Sequence, residues 1–155
     1  MTASYETAGM KDKRKALRAL SMQALYELEF FPEEETEAQL ALLLDTPLLD
    51  EGEEGLMLTE EEKAAFSERI RTILSMKDEL DASIEKASPG WKLSRMSRVD
   101  LAILRLALYE LRYDERIPIK VAINEAVDLA HLYGGDNSYQ FVNGVLSVFA
   151  QEADE

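Results

Sequence analysis

Two apolar patterns of helical period stand on either side of Tyr133-Gly-Gly-Asp-Asn-Ser138, and together they restrict the last third of the chain to a helical hairpin. The first pattern begins at Ile117-Pro118, where proline is tolerated in a first turn, and ends at Gly134-Gly135, residues able to take a positive φ after a helix C-terminus. Asp136, Asn137 and Ser138 offer N-caps for a final helix reaching to about Ala150. Three residues inside these patterns are not ones that packing alone would choose: Asn124, Asn143 and Gly144. Glycine within a helix costs roughly 1 kcal/mol relative to alanine, and asparagine competes with the backbone for hydrogen bonds. The expectation is that Gly144 admits a close helix crossing and that both asparagines bond neighbouring backbone.

The remainder of the chain follows the same period. Lys11 to Leu28 reads as a first helix, with Leu17, Leu20, Ala24 and Leu28 on one face, closed by Pro32 and the run Glu33 to Glu35. A shorter helix is expected from Glu37 to Leu44, followed by a connection through Pro47, Gly52 and Gly55. Thr59-Glu-Glu-Glu62 has capping-box form and opens a third helix whose apolar stripe is Phe66, Ile70, Ile73, Leu80 and Ile84. Ser88-Pro-Gly90 breaks the chain, Trp91 to Met96 forms a short turn, and Ser97 to Asp100 repeats the capping-box form. The helix opened there carries Leu101, Leu104, Leu108 and Leu111. No alternating strand pattern competes, so the fold class is all-α with about six to seven helices. The expected organisation is one domain over 1–155, with an N-terminal half at 11–88 and a C-terminal half at 89–153.

A chain of 155 residues, 46% hydrophobic, can bury a core without help from disulfides, and it has no cysteine to make them. The first ten residues lack the apolar segment of an export signal, which points to a reducing cytoplasm. The apolar run Leu101 to Leu108 is interrupted by Arg105 and is far shorter than the roughly 20 residues of a membrane span. His131 is the single histidine and has no second ligand at metal-binding spacing. No nucleophile turn, phosphate loop or carboxylate pair is present, so no catalytic residue, cofactor or metal is expected.

The net charge of −14 repels nucleic acid and anionic lipid alike, but it is unevenly spread. Lys11, Lys13, Arg14, Lys15 and Arg18 face only Glu6 and Asp12 before the carboxylate excess begins at Glu27. On a helical wheel Lys11, Arg14, Lys15 and Arg18 share an arc that Met22 and Tyr26 extend, while Lys13 falls off it. Cations in a first turn oppose the helix macrodipole, so their placement favours a binding role. Single-stranded RNA requires such cations along its phosphates and flat rings on which bases can lie, and Tyr26 supplies a ring. A merely solvated helix face accounts for the same charges with about equal weight.

Four pieces resemble the NusB family of bacterial transcription antitermination factors, in family order and spacing. They are Ala24-Leu-Tyr26 after a basic helix start, Leu104-Arg-Leu-Ala-Leu-Tyr-Glu-Leu111, Ile117-Pro-Ile-Lys-Val-Ala-Ile-Asn-Glu-Ala126 and Phe141-Val-Asn-Gly-Val-Leu146. The resemblance implies two small helical bundles packed together and no enzymatic activity. It also implies pairing with NusE, a small-subunit ribosomal protein, to bind the single-stranded boxA element of ribosomal RNA transcripts within the RNA polymerase antitermination complex. By the same resemblance Lys11, Lys13, Arg14, Lys15 and Arg18 occupy the positions of an arginine-rich RNA contact. Asn137 and Phe141 would lie beside the RNA path, although capping and core packing are equally good roles for them. Asp100 matches an acidic residue at the NusE contact; it could also cap its helix with one oxygen while the other faces solvent. Three of the five cations are lysines, which bind phosphate as point charges without the bidentate fork of arginine. That departure and the net charge keep open a different class of function: a protein-binding or self-associating helical scaffold, a homodimer included, with weak or no specific RNA binding.

Overall fold

A computed structural model describes the backbone of residues 8–45 and 58–153, with side chains over 13–45 and 58–152. The expected connection through Pro47, Gly52 and Gly55 lies outside the described residues, as does the side chain of Lys11. Among the described residues all regular structure is helical: α1 (Ala8–Leu28), α2 (Thr36–Asp45), α3 (Glu60–Ser75), α4 (Lys77–Lys86), α5 (Arg98–Tyr113), α6 (Ile119–Tyr133) and α7 (Ser138–Ala153), with 3-10 turns at Glu33–Glu35 and Leu93–Arg95. The chain gathers into two compact units, Met1–Arg71 and Thr72–Glu155. The division falls within α3 rather than at Ser88-Pro89-Gly90, because α4 packs against α5 and belongs with the C-terminal helices.

In the first unit α1 packs on α2 and buries Leu20, Ala24 and Leu25, with Leu40 and Leu43 buried on α2. Met22 is also buried, at 5% exposure, so the arc drawn through it on the helical wheel does not continue past Arg18 as a surface. The start of α3 is the predicted capping box. Glu62 N–H donates to Thr59 Oγ1 at 3.1 Å, and Thr59 N–H donates back to Glu62 Oε1 at 2.9 Å. Arg71 then ties α3 to α2 through a bidentate pair with Glu37, at 2.8 and 2.7 Å.

The expected single third helix is two helices. Met76 leaves helical geometry at φ −103°, ψ 7°, and its N–H closes a tight turn on the Ile73 carbonyl at 3.0 Å. Ser75 Oγ donates to the Thr72 carbonyl at 2.6 Å, the type of side-chain back-bond that bends helices, and Asp78 and Glu79 favour a fresh N-terminus. The apolar stripe survives the break, for Phe66, Ile70, Ile73, Leu80 and Ile84 are all buried.

The second unit is built around α5, which α4, α6 and α7 all contact. Every residue from Asp100 to Leu108 is buried, and so is Glu110. A helix enclosed in this way has no solvent side for a charge, and Arg105 therefore meets a partner. Its Nε and an Nη donate to the two carboxylate oxygens of Asp81 on α4 at 2.7 and 2.8 Å, with the arginine side chain only 6% exposed. Arg112, in the last turn of α5, lies 5.2 Å over the Phe149 ring of α7 and donates to Ser83 of α4 at 2.9 Å. Asp114 ends α5, and its carboxylate accepts from Arg116 Nε at 3.0 Å as the chain turns towards Pro118.

The α6–α7 hairpin corrects three expectations about its glycines and asparagines. Gly134 does not use a positive φ, being extended at φ −89°, ψ −178°. What it needs is space: a Cβ there would stand 2.4 Å from Ser138 Cβ and 2.7 Å from the Ala130 carbonyl oxygen. Gly144 does not sit at a close helix crossing, since a Cβ would meet nothing within 4 Å. Asn124 and Asn143 are exposed on the helix surface instead of bonding buried backbone. Apolar period assigned them to helices correctly, but a wheel cannot show which helix flank a neighbour covers.

These observations set two stability expectations, both readable by urea unfolding. Gly144→Ala stabilises by about 1 kcal/mol because only helix propensity changes, whereas Gly134→Ala destabilises by about 1–3 kcal/mol through overpacking against Ser138. Equal effects at the two sites would refute this contrast. Arg105→Met strands the largely enclosed Asp81 carboxylate and costs about 3 kcal/mol or more, much of which Arg105→Met with Asp81→Leu recovers.

Candidate nucleic-acid interface

Positive charge in the first unit concentrates on the first half of α1. Arg14 and Lys15 are exposed and Arg18 is half-buried, and α1 has no acidic residue in its first turn. One helical turn brings residues four apart onto the same face, so Arg14 and Arg18 stack along the axis with a rise of roughly 6 Å between them. Lys13 stands apart, as its position on the wheel suggested. Its Nζ is 2.7 Å from Glu62 Oε1, which brings the capping-box glutamate of α3 against α1. The Lys13 ammonium holds the Glu62 carboxyl below its ordinary value of 4.5, aided by the hydrogen bond from Thr59 N–H. A lowered folded value means that this tie is present at neutral pH and is lost only as pH falls from 4.5 through the folded value.

Beyond Arg18 the surface turns aromatic. Tyr26 is half-buried and meets Phe30 edge-on, with ring centroids 5.2 Å apart and planes at 66°. Phe30, just past the end of α1 at Leu28, is 62% exposed, a large apolar surface that no helical period singles out.

In the second unit the other expected residues are placed individually. Asn137 is exposed before α7, and its backbone carbonyl accepts from Phe141 N–H at 3.1 Å. The side chain that closes this turn belongs to Ser138, whose Oγ accepts from Gly135 N–H at 2.9 Å. Phe141 is half-buried and lies 5.6 Å from Trp91, centroid to centroid, at 59°. His131 is exposed and stacks on Tyr139 at 4.1 Å and 18°.

Asp100 occupies the first turn of α5, where its N–H donates to the Ser97 N-cap hydroxyl at 3.0 Å. The residue is 8% exposed and its Oδ1 has no hydrogen-bond partner among the described residues. The positive end of the helix dipole offsets part of the cost of that enclosed oxygen. Among the described residues no cluster of histidine, cysteine or carboxylate side chains could hold a metal, and no helix is long and apolar enough to cross a membrane. The arrangement is one of charged and aromatic surfaces suited to binding a polyanion with unstacked bases.

Comparison with known proteins gives the arrangement a family. A profile of the NusB family matches residues 15–151. The transcription antitermination protein NusB of Agathobacter rectalis is 44% identical over 137 residues, spanning 88% of this chain and 98% of the relative. Its counterpart in Lachnoclostridium phytofermentans is 40% identical over 134 residues, spanning 86% and 96%. Among solved structures, T. maritima NusB superposes with a TM-score of 0.72 at 35% identity, covering 90% of this chain and 91% of that one. A structure of the antitermination factors NusB and NusE in complex with double-stranded RNA shares the fold, with a TM-score of 0.69 at 21% identity over 90% and 96% of the two chains. With the profile spanning almost the whole chain and the relatives matched along nearly their full length, this protein belongs to the NusB family.

Proposed function

We propose that this protein is a cytoplasmic transcription antitermination factor that binds boxA-type single-stranded RNA of ribosomal RNA transcripts together with NusE, and so helps RNA polymerase resist termination. The observation that carries this reading is the cationic stretch of α1, where Arg14 and Lys15 are exposed in an otherwise acidic chain of the NusB family. RNA binds through Lys11, Arg14, Lys15 and Arg18 on its phosphates, and release of condensed counterions supplies most of the affinity. Tyr26 offers a ring edge for a base. Asn137 and Phe141 contribute from the second unit, and Asp100 marks the helix start at which NusE docks. The role is one of binding and requires no reacting group.

Lys13 is held by Glu62, its Nζ 2.7 Å from Oε1. Its use on phosphate requires that pair to open, so Glu62 acts as an internal competitor for the RNA.

Fluorescence anisotropy of a labelled boxA RNA, with and without NusE, checks the proposal. If about four phosphates are neutralised, log affinity should fall against log salt with a slope near −3 for a single strand. Arg14→Glu with Arg18→Glu removes binding while circular dichroism keeps the helical signal; affinity no better than for a scrambled RNA, with NusE binding retained, would instead select the protein scaffold. Glu62→Gln preserves the capping box, since glutamine serves that position, and releases Lys13. It should raise RNA affinity a few-fold at low salt and steepen the slope by about 0.7; an unchanged slope would remove Lys13 from the contact.

A further inference from the structure

Between Glu85 and Asp100 the chain carries no carboxylate and four cations, Lys86, Lys92, Arg95 and Arg98. Lys86 has a helical reason for its place, in the last turn of α4 where the dipole favours a cation. The other three have none. Lys92 precedes the 3-10 turn, Arg95 is its last residue with its backbone N–H donating to the Lys92 carbonyl at 2.9 Å, and Arg98 is the first residue of α5, where the dipole disfavours it. All three are exposed, and their side chains make no ion pair or hydrogen bond with the described residues. In an acidic protein with cations to spare for few partners, three unpaired ones within seven residues are a local field of opposite sign.

The segment is also rigidly built. Ser88 is buried and donates to the Ile84 carbonyl at 2.7 Å, Gly90 turns the chain at φ 87°, and Trp91 N–H donates to the Ser88 carbonyl at 2.9 Å. Leu93 N–H is held by the Glu85 carboxylate at 3.2 Å, and Met96 is buried at 5%. This turn presents Trp91 with 51% of its surface exposed and Phe141 beside it. Two anchored ends and a positive-φ glycine thus hold a large flat ring in water, next to cations whose side chains form no ion pair among the described residues.

We propose that Trp91, supported by Phe141, together with Lys92, Arg95 and Arg98 forms a second single-stranded RNA contact carried by the C-terminal unit. A base stacks on the indole and the flanking phosphates lie on the three cations. The inference rests on the proposed RNA-binding role and adds to it an aromatic platform and a second set of phosphate contacts. An acidic protein surface would also suit the cations and the indole; single-stranded RNA is the occupant chosen because a ring set among point charges matches a strand that alternates bases with phosphates.

Trp91 is the only tryptophan in the chain, so intrinsic fluorescence reports on this site alone. Titration of the wild-type protein with unlabelled boxA RNA should quench Trp91 emission, saturating at the RNA concentration that saturates the anisotropy of the labelled strand. Trp91→Ala should weaken binding about tenfold, the usual loss of one stacked base. With both cationic patches engaged, about seven phosphates are neutralised and the wild-type slope should be near −5; Lys92→Gln, Arg95→Gln and Arg98→Gln combined should bring it back to near −3, a readout that misfolding would not mimic at retained helicity. Binding by anisotropy with unchanged Trp91 emission and a wild-type slope in the triple variant overturns this contact and leaves the antitermination reading intact. A triple variant that loses NusE and keeps RNA assigns the patch to protein and also overturns it. Absence of RNA binding by the wild type, with and without NusE, overturns both.

Discussion

The bidentate pair between Arg105 and Asp81 is the interaction on which the second unit depends. It stands where α5 is enclosed on every side, at the one position of the Leu101 to Leu108 run that is not apolar. An unpaired guanidinium there would face the full cost of desolvation, so α5 can be central only if α4 delivers a carboxylate to that point. The break at Met76 lets α4 set its direction independently of α3 and bring Asp81 and Ser83 to α5.

What α5 organises includes both candidate surfaces of its unit. Its N-terminus ends the segment that holds Trp91, Lys92, Arg95 and Arg98, and its packing against α7 seats the helix that carries Phe141. A flat ring needs a fixed orientation to stack a base productively, because every degree of freedom lost on binding subtracts from affinity. Burial of Met96 and the bonds of Ser88 and Leu93 remove that freedom before any ligand arrives.

The helices were legible in the sequence because period and capping chemistry are local. The Thr59 to Glu62 box formed as read, and all five stripe residues from Phe66 to Ile84 are buried. Gly134 and Gly144 show the limit of the method. Both are glycines in or beside a helix, yet one is packed against Ser138 and the other is open to solvent, a distinction set by neighbours rather than by the glycine. Met22 failed for the same reason, being covered on a side of α1 that is exposed one turn earlier. At the site, the cations of α1 were legible because they cluster ahead of the carboxylate excess that begins at Glu27; the conflict with the helix dipole expected of them is absent, since α1 starts at Ala8 and Arg14, Lys15 and Arg18 lie beyond its first turn. The tie from Lys13 to Glu62 and the meeting of Trp91 with Phe141 join residues distant in sequence, and no spacing rule reaches them. A signal for the second patch did exist in the sequence, the carboxylate-free stretch from Lys86 to Val99, but it is diluted when charge is summed over the whole chain.

A net charge of −14 and a role in binding RNA are compatible once distance is considered. At physiological ionic strength the Debye length is about 8 Å, so carboxylates farther than that from a bound phosphate act weakly on it, while a cation in contact acts almost unscreened. On the proposed reading, attraction is decided by the cations within one or two side chains of each bound phosphate, such as the exposed Arg14 and Lys15, or the exposed Arg95 and Arg98. The acidic remainder acts mainly on encounters that do not seat the strand. On the proposed reading, the lysine-for-arginine composition of α1 weakens each phosphate contact, and discrimination among strands falls to the aromatic rings placed among the cations.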